Sequence, residues 1–228
     1  MIVRNLQSVR DRILTACVAA GRAPASVTLL AVSKKFSAQA VLDARAGEQL
    51  AFGENYITEG VDKIVALQSH SDLKWHCIGP VQSNKTRLVA EHFDWVQSVD
   101  RLKIAQRLSE QRPPHLPPLQ VCLQVNIDGG SNKSGVAPSE LQALVQGVAK
   151  LPRLRLRGLM MIPEPAITFG AARAVFTSAK SLFDQMNRLS VLPEPMDTLS
   201  MGMTADLEAA IAAGSTMVRV GTAIFGHR

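Results

Sequence analysis

The chain has 228 residues, of which 46% are hydrophobic and 19% are charged, so its composition is that of a folded globular protein. No apolar run approaches the roughly 18 residues that cross a bilayer, and the opening segment MIVRNLQSVRDRIL lacks the apolar core of a signal peptide. The net charge of +6 suits nucleic acid or a phosphorylated small ligand, but the basic residues are scattered and lack interleaved aromatics. We therefore expect no nucleic-acid partner and no membrane association.

The cysteines and histidines show no pattern of a disulfide framework or a metal site. Cys17, Cys77 and Cys122 are odd in number and lack CxxC spacing, which is typical of reduced, buried thiols in a cytoplasmic protein. The histidines other than His76 show no ligand spacing; they are His70, His92, His115 and His227. We expect no metal.

The predicted elements alternate along the whole chain. Leu6, Val9, Ile13 and Cys17 recur at helical spacing and predict an N-terminal helix over residues 5–20. Helical segments then separate eight strand-like runs, and the last of these helices is predicted from Thr204 to Ala213. The runs are VTLLAVS (27–33), QLAFGEN (49–55), LKWHCIG (73–79), WVQSV (95–99), LQVCLQVNI (119–127), RLRGLMMI (155–162), TLSMG (198–202) and TMVRVGTAIFG (216–226).

Eight strand–helix alternations favour an α/β protein with a parallel sheet. Eight such units are typical of a closed (β/α)₈ TIM barrel, here with an extra N-terminal helix. No linker or low-complexity segment divides the chain, so we expect a single domain over residues 1–228. The alternative is an open doubly wound sheet, but no strand–helix turn carries the GxGxxG motif of that class.

Active sites of such barrels lie at the carboxyl ends of the strands. The loops after strands seven and eight read SMGMT and VGTAIFG, which combine glycines with hydroxyl residues. With a helix starting at Thr204, they predict a phosphate site at Ser200, Gly221 and Thr222. Closure of the barrel places strand eight beside strand one, so Lys34 would lie within reach of that phosphate.

A lysine amine next to a phosphate site points to pyridoxal 5'-phosphate, which forms a Schiff base with lysine and binds at barrel phosphate sites. Lys35 is expected to be a charged neighbour of Lys34. Arg219 shares a strand face with Gly221 by period-two counting. Facing the ring nitrogen of the cofactor, Arg219 would keep that nitrogen unprotonated and make the ring a poorer electron sink.

Several motifs resemble the pyridoxal phosphate homeostasis family, whose members are single-domain relatives of the alanine racemase N-terminal barrel. The resemblance runs from about Leu6 to Gly226 and rests on LLAVSK, FGENY, IGPVQSNK, LQVN, GLMMIP, LSMGMTADLEAAI and VRVGTAIFG. It implies that Lys34 carries the cofactor and that it is surrounded by Asn55, Ser200, Arg219, Gly221 and Thr222. It also implies that Lys133, in the GGSNKSG loop, influences cofactor release.

The resemblance implies a protein that binds, buffers and passes on pyridoxal phosphate, with apo-enzymes as acceptors and no robust catalytic reaction. The alternative is a racemase-type enzyme with weak activity. Two-base racemisation needs an acid/base opposite the lysine, and in the alanine racemase relatives this is a tyrosine of an extra β domain. The sequence continues only two residues past Gly226, and its single tyrosine, Tyr56, begins a helix. We expect a monomeric binding protein, in which His76 is either a hydrogen-bonded strand histidine or a cofactor contact.

Overall fold

The computed structural model describes residues 1–130 and 133–226. Two residues of the GGSNKSG loop and the end of the predicted 1–228 domain, with His227, lie outside the described residues. The strands are β1 Thr28–Val32, β2 Ala51–Glu54, β3 Lys74–Cys77, β4 Trp95–Val99, β5 Leu119–Gln124, β6 Leu154–Met160, β7 Thr198–Ser200 and β8 Met217–Val220. The α-helices of the described residues are α1 Ile2–Ala19, α2 Ala38–Arg45, α3 Ile57–Ala66, α4 Thr86–His92, α5 Leu102–Gln111, α6 Leu141–Val148, α7 Phe169–Asn187, α8 Leu207–Ala212 and α9 Thr222–Phe225.

The eight strands form one closed parallel barrel in sequence order. β8 closes the ring by pairing with β1, where Leu29 lies opposite Val218 and Leu30 lies opposite Arg219. This confirms the predicted (β/α)₈ barrel and excludes the open sheet. Because all strands run in one direction, their carboxyl ends meet at a single mouth.

The predicted N-terminal helix is present as α1, and it buries the face that carries Leu6, Val9, Ile13 and Cys17. α1 packs against α2, α8 and the short α9. Since α2 follows β1 and α8 precedes β8, α1 occupies the position in the outer ring where the helix after β8 would otherwise lie. The first helix of the chain thereby completes the ring.

The prediction of a strand through residue 226 was wrong at its end. β8 stops at Val220, and Thr222–Phe225 form α9. Ile224 and Phe225 are buried; the Phe225 ring stacks on Phe36 with centroids 5.1 Å apart, and the Asn5 amide donates to the Ile224 carbonyl at 2.9 Å. The apolar residues of this segment therefore serve helix packing rather than a strand.

The predicted helix start at Thr204 was also wrong, because α8 begins at Leu207. The backbone N–H of Met203 donates to the Asp206 carboxylate at 2.6 Å, and the N–H of Asp206 donates back to the Met203 carbonyl at 3.2 Å. These two bonds close a turn that contains Thr204. The dipole of a helix beginning at Thr204 is thus not available to a ligand.

The three cysteines are buried and free, as expected. Burial raises the pKa of the Cys77 and Cys122 thiols to about 12, so they are poor nucleophiles at neutral pH. Within residues 1–130 and 133–226, no helix has both the length and the apolar character that a membrane crossing requires.

Candidate functional site at the barrel mouth

A cavity of about 320 Å³ opens at the carboxyl ends of the strands, within the size range of small-ligand pockets. The structure brings five of the six predicted site residues to its wall: Lys34, Asn55, Arg219, Gly221 and Thr222. The wall also contains Thr204, where the sequence placed a helix start, and five residues to which the sequence assigned no contact, namely Val32, Ile78, Ile162, Met203 and Ala205. The mouth therefore combines an amine, a guanidinium, hydroxyls and apolar surface.

Lys34 is half-buried in the turn that follows β1. The next residue, Lys35, has a φ of 64°, a left-handed conformation that is uncommon outside glycine. The Ser33 carbonyl accepts a hydrogen bond from the Lys63 amine at 2.8 Å, and the Lys35 N–H donates to the Glu59 carboxylate. The backbone is thus held on both sides of Lys34. The Lys35 side chain is exposed, with its amine 5.8 Å from the centre of the Tyr56 ring.

A polar and charged group, here called the Lys63 cluster, lies under this turn and consists of the buried Ser33, Glu54 and Lys63 and the partly buried Glu59. The Lys63 amine donates to Glu54 at 2.8 Å and to Glu59 at 2.7 Å, besides the Ser33 carbonyl. Its three N–H donors are therefore all used. Desolvation raises the pKa of the Glu54 carboxyl, against the opposing effect of hydrogen bonds from Lys63 and Ser33. The cluster ties β1, β2 and α3 together.

The end of β2 is fixed by a close backbone approach from the end of β3. A Cβ atom on Gly79 would lie only 2.0 Å from the Asn55 carbonyl oxygen, so no other residue fits at position 79. This contact holds the backbone of Asn55 beside the cavity. It gives a packing reason for the glycine of IGPVQSNK.

A similar approach shapes the side of the cavity formed by β8 and β1. A Cβ on Gly221 would lie 3.1 Å from the Val32 carbonyl, which brings the start of α9 close to the strand that precedes Lys34. Thr222 is exposed at this edge. Thr204 reaches the wall from the β7–α8 turn, where its carbonyl accepts from the Arg12 guanidinium at 2.9 Å. Two threonines thus line the cavity together with Lys34 and Arg219.

Arg219 lies at the floor of the cavity and is 4% exposed. One of its terminal nitrogens donates to the Ser200 hydroxyl at 2.7 Å and the other to the Met161 carbonyl at 2.9 Å. Burial lowers the pKa of the guanidinium to about 10, so it remains charged at neutral pH. The floor of the cavity therefore carries a fixed positive charge.

Ser200 and His76 lie below the wall of the cavity rather than in it. Ser200 is fully buried, and its hydroxyl donates to Gln97 at 2.7 Å. His76 is also buried; its Nδ1 lies 2.9 Å from the Gln97 amide nitrogen, and its ring stacks on Trp95 at 5.0 Å. This geometry is that of a hydrogen-bonded strand histidine. Ser200 does not line the cavity, and of the other five predicted residues it is joined to Arg219 by a hydrogen bond.

Lys133 joins two loops beside the mouth. Its amine donates to Asp128 at 2.7 Å and to the Ile162 carbonyl at 3.2 Å, and it lies 3.1 Å from Glu164. Ile162 is part of the cavity wall. The lysine that the resemblance associates with release is therefore linked to the cavity through a backbone contact.

A larger groove, of about 770 Å³, lies among α1, α7 and α8 on the outside of the barrel. The described residues of its lining include arginines and carboxylates but no lysine. Its size alone would favour this groove as the ligand site. The lysine amine in the mouth cavity, and the usual location of barrel active sites at the carboxyl ends of the strands, favour the mouth instead.

The fold and the site define a class of protein, the barrel of alanine racemase type. The family described as "Alanine racemase, N-terminal domain" matches residues 5–228. D-threonine aldolase from Filomicrobium marinum shares the fold with a TM-score of 0.76 at 18% identity, over 98% of this chain and 60% of the aldolase. At that identity the likeness concerns the fold alone.

Proteins that are more similar to this chain identify the family within this class. The pyridoxal phosphate homeostasis protein of Pseudomonas aeruginosa is 56% identical over 227 residues, covering 100% of this chain and 96% of the relative. That of Escherichia coli K12 is 53% identical, covering 100% and 97%. PipY of Synechococcus elongatus, solved with pyridoxal phosphate bound, is 35% identical with a TM-score of 0.86, over 99% of this chain and 100% of PipY. The chain belongs to the pyridoxal phosphate homeostasis family.

Proposed function

We propose that this protein binds pyridoxal phosphate in the mouth cavity, with Lys34 as its covalent anchor, and acts in pyridoxal phosphate homeostasis rather than in catalysis. The observation that carries the proposal is that Lys34, Arg219 and two threonines, Thr204 and Thr222, line one cavity. The names of the relatives and the cofactor in PipY support it. The buried free thiols are in keeping with a cytoplasmic protein.

The residues of the cavity fit the parts of this cofactor. Bound pyridoxal phosphate supplies an aldehyde, whose carbon forms a C=N bond with a primary amine while its oxygen leaves as water. Lys34 provides the amine. Thr204, Thr222 and the close-packed Gly221 provide small polar groups for a phosphate. Asn55 adds an amide to the same wall.

Arg219 gives the site a character that disfavours catalysis. A charged guanidinium can only donate hydrogen bonds, so it pairs with a pyridine nitrogen that is unprotonated. An unprotonated ring withdraws electrons less strongly and stabilises carbanions poorly. Arg219 therefore suits a protein that holds the cofactor without activating a bound amino acid.

The lining offers no second acid/base for a racemase. Among its described residues there is no carboxylate, imidazole or phenol. Tyr56 is 49% exposed and is not part of the cavity wall. Since racemisation through two bases needs a proton donor opposite the lysine, any activity on amino acids is expected to be weak.

The test is covalent mapping. Protein mixed with pyridoxal phosphate is followed by absorbance, reduced with borohydride, digested and mapped. We expect one adduct, on Lys34, that is lost in Lys34→Ala. Lys35→Ala is the matched control, because it removes the neighbouring exposed amine, and it should keep the adduct. An adduct spread over surface lysines, or retained in Lys34→Ala, would overturn the proposal.

We also propose that the protein is a monomer that passes its cofactor to apo-enzymes. Protein loaded with pyridoxal phosphate would then reactivate an apo-enzyme at a higher rate than the rate at which it releases the cofactor spontaneously to a trap. Light scattering during the same experiment gives the mass of the carrier. Reactivation at the spontaneous release rate would contradict direct transfer.

A further inference from the structure

A chain of hydrogen bonds crosses the inside of the barrel below the cavity. It connects four buried side chains, one each from β3, β4, β7 and β8: His76, Gln97, Ser200 and Arg219. The links are Arg219 to Ser200 at 2.7 Å, Ser200 to Gln97 at 2.7 Å and Gln97 to His76 at 2.9 Å. We call these residues the lumen chain. It begins at the cavity floor and ends on the far side of the barrel.

The direction of the lumen chain is fixed by the chemistry of its members. The Gln97 amide nitrogen lies 3.1 Å from the Met217 sulfur, and a thioether cannot donate a hydrogen bond. This end of Gln97 must therefore be its NH₂ group, which also faces His76 Nδ1. The amide oxygen is left to accept from Ser200, and Ser200 accepts from Arg219. Every link donates from Arg219 towards His76.

The lumen chain ends at the imidazole of His76, whose Nδ1 must accept a hydrogen bond from the Gln97 amide. Burial lowers the pKa of His76 to about 3, which keeps the ring neutral and leaves Nδ1 free to accept. Stacking on Trp95 holds the ring plane. A single orientation of Gln97 satisfies His76, Met217 and Ser200 together, so Gln97 fixes where the Ser200 oxygen points.

The lumen chain leaves part of the guanidinium for a ligand. Of the five N–H donors of an arginine, the bonds to Ser200 and the Met161 carbonyl use two. Those two bonds set the plane of the group at the cavity floor. A guanidinium free to rotate would lose conformational freedom on meeting a ligand, whereas one already fixed does not.

We propose that Gln97 is a positioning residue, which through Ser200 orients Arg219 towards the ligand in the cavity. The inference rests on the proposed function only in taking pyridoxal phosphate as that ligand. Gln97 does not touch the cavity, so its effect must pass through Arg219.

The test compares two buried glutamines. Gln97→Leu removes the two links of the lumen chain that Gln97 makes, to Ser200 and to His76. Gln49→Leu removes an equally buried amide, whose nitrogen donates to the Leu29 and Ala51 carbonyls at 2.9 and 2.8 Å, near the amino ends of β1 and β2. The cofactor dissociation constant is measured by fluorescence titration, and the melting temperature of the ligand-free protein is measured in parallel.

We expect Gln97→Leu to weaken binding about tenfold, because a misaligned buried donor forfeits roughly one hydrogen bond to the ligand. Gln49→Leu should lower the melting temperature without changing the dissociation constant. In an Arg219→Met background the effect of Gln97→Leu on binding should vanish, as the two residues act in one chain.

Three results separate the possibilities. If the unmodified protein binds no cofactor, the proposed function fails. If it binds and Gln97→Leu behaves like Gln49→Leu, the positioning role is wrong while the proposed function stands. A tenfold loss that persists in the Arg219→Met background would also overturn the role of Gln97, because it would show an effect independent of Arg219.

Discussion

At the level of single residues, His76 makes the stability of the protein depend on pH. Its pKa falls from an ordinary 6.5 to about 3 through burial, so between these values the unfolded chain binds a proton that the folded one excludes. The free energy of unfolding therefore falls as pH drops below 6.5. The part of this decrease that is due to His76 is complete below pH 3.

We predict that this one histidine costs about 2 kcal/mol of stability between pH 6.5 and pH 5, at about 1.4 kcal/mol per pH unit. Urea unfolding across that range measures the slope. His76→Phe, which keeps a ring against Trp95, should flatten it. His115→Gln, at an exposed position, should not. Equal slopes in all three proteins would contradict a neutral, buried His76.

The sequence predicted five of the eleven described residues that line the cavity, but it did not predict the lumen chain. Lys34, Gly221 and Thr222 follow strand ends in the primary structure, where the topology of a parallel barrel brings them together. Gln97 gives no such signal, because in WVQSV it reads as an ordinary polar strand residue. Its contact with Ser200 spans 103 positions and exists only once β4 and β7 face each other across the closed barrel.

At the level of elements, the Lys63 cluster joins the ends of β1 and β2 to α3. Its lysine is 6% exposed and its Glu54 is fully buried. Removing one member of a buried ion pair leaves the other charge without compensation, whereas an exposed pair contributes little. The cluster therefore matters more to the fold than the helix-surface pairs.

We predict that Lys63→Met lowers the free energy of unfolding by about 3 kcal/mol. Lys180→Met, which removes the half-exposed partner of Asp184 one turn along α7, should cost under about 0.5 kcal/mol. Denaturant unfolding measures both. Adding Glu54→Gln to Lys63→Met should recover part of the loss. No recovery would mean that the cost of Lys63→Met is a packing effect and not an unpaired carboxylate.

Element boundaries were less predictable than the elements themselves. The alternation of apolar runs identified all eight strands, since each strand buries its side chains between the lumen and the outer helices. The segment TAIF is apolar in the same way, but its residues cover Phe36 and the start of α1. An apolar run in sequence does not distinguish burial as a strand from burial as a short helix.

At the level of the whole molecule, α1 completes the outer helical ring. Its buried face includes Leu6 and Cys17, neither of which is exposed at all. Because α1 covers the seam where β8 meets β1, the first and last parts of the chain stabilise each other. This seam also carries Lys34 and Gly221 of the cavity.

We predict that Leu6→Ala destabilises the protein by about 2–5 kcal/mol, the usual cost of a large cavity in a core. Leu14→Ala, on the same helix but 47% exposed, should cost under about 1 kcal/mol. Thermal and urea unfolding provide both values. Since alanine is at least as good a helix former as leucine, the two losses should differ only through burial, and similar losses would contradict the view that the buried face of α1 is what stabilises the protein.

The lumen chain has a consequence for how a ligand enters and leaves the cavity. The buried side chains of the lumen chain lie below Arg219, so a ligand in the cavity enters and leaves at the mouth of the barrel. A second cofactor molecule cannot reach the bound one from the interior of the barrel and displace it from that side. The bound cofactor must therefore leave before another molecule can bind. An apo-enzyme that accelerates release would have to act at the mouth of the barrel.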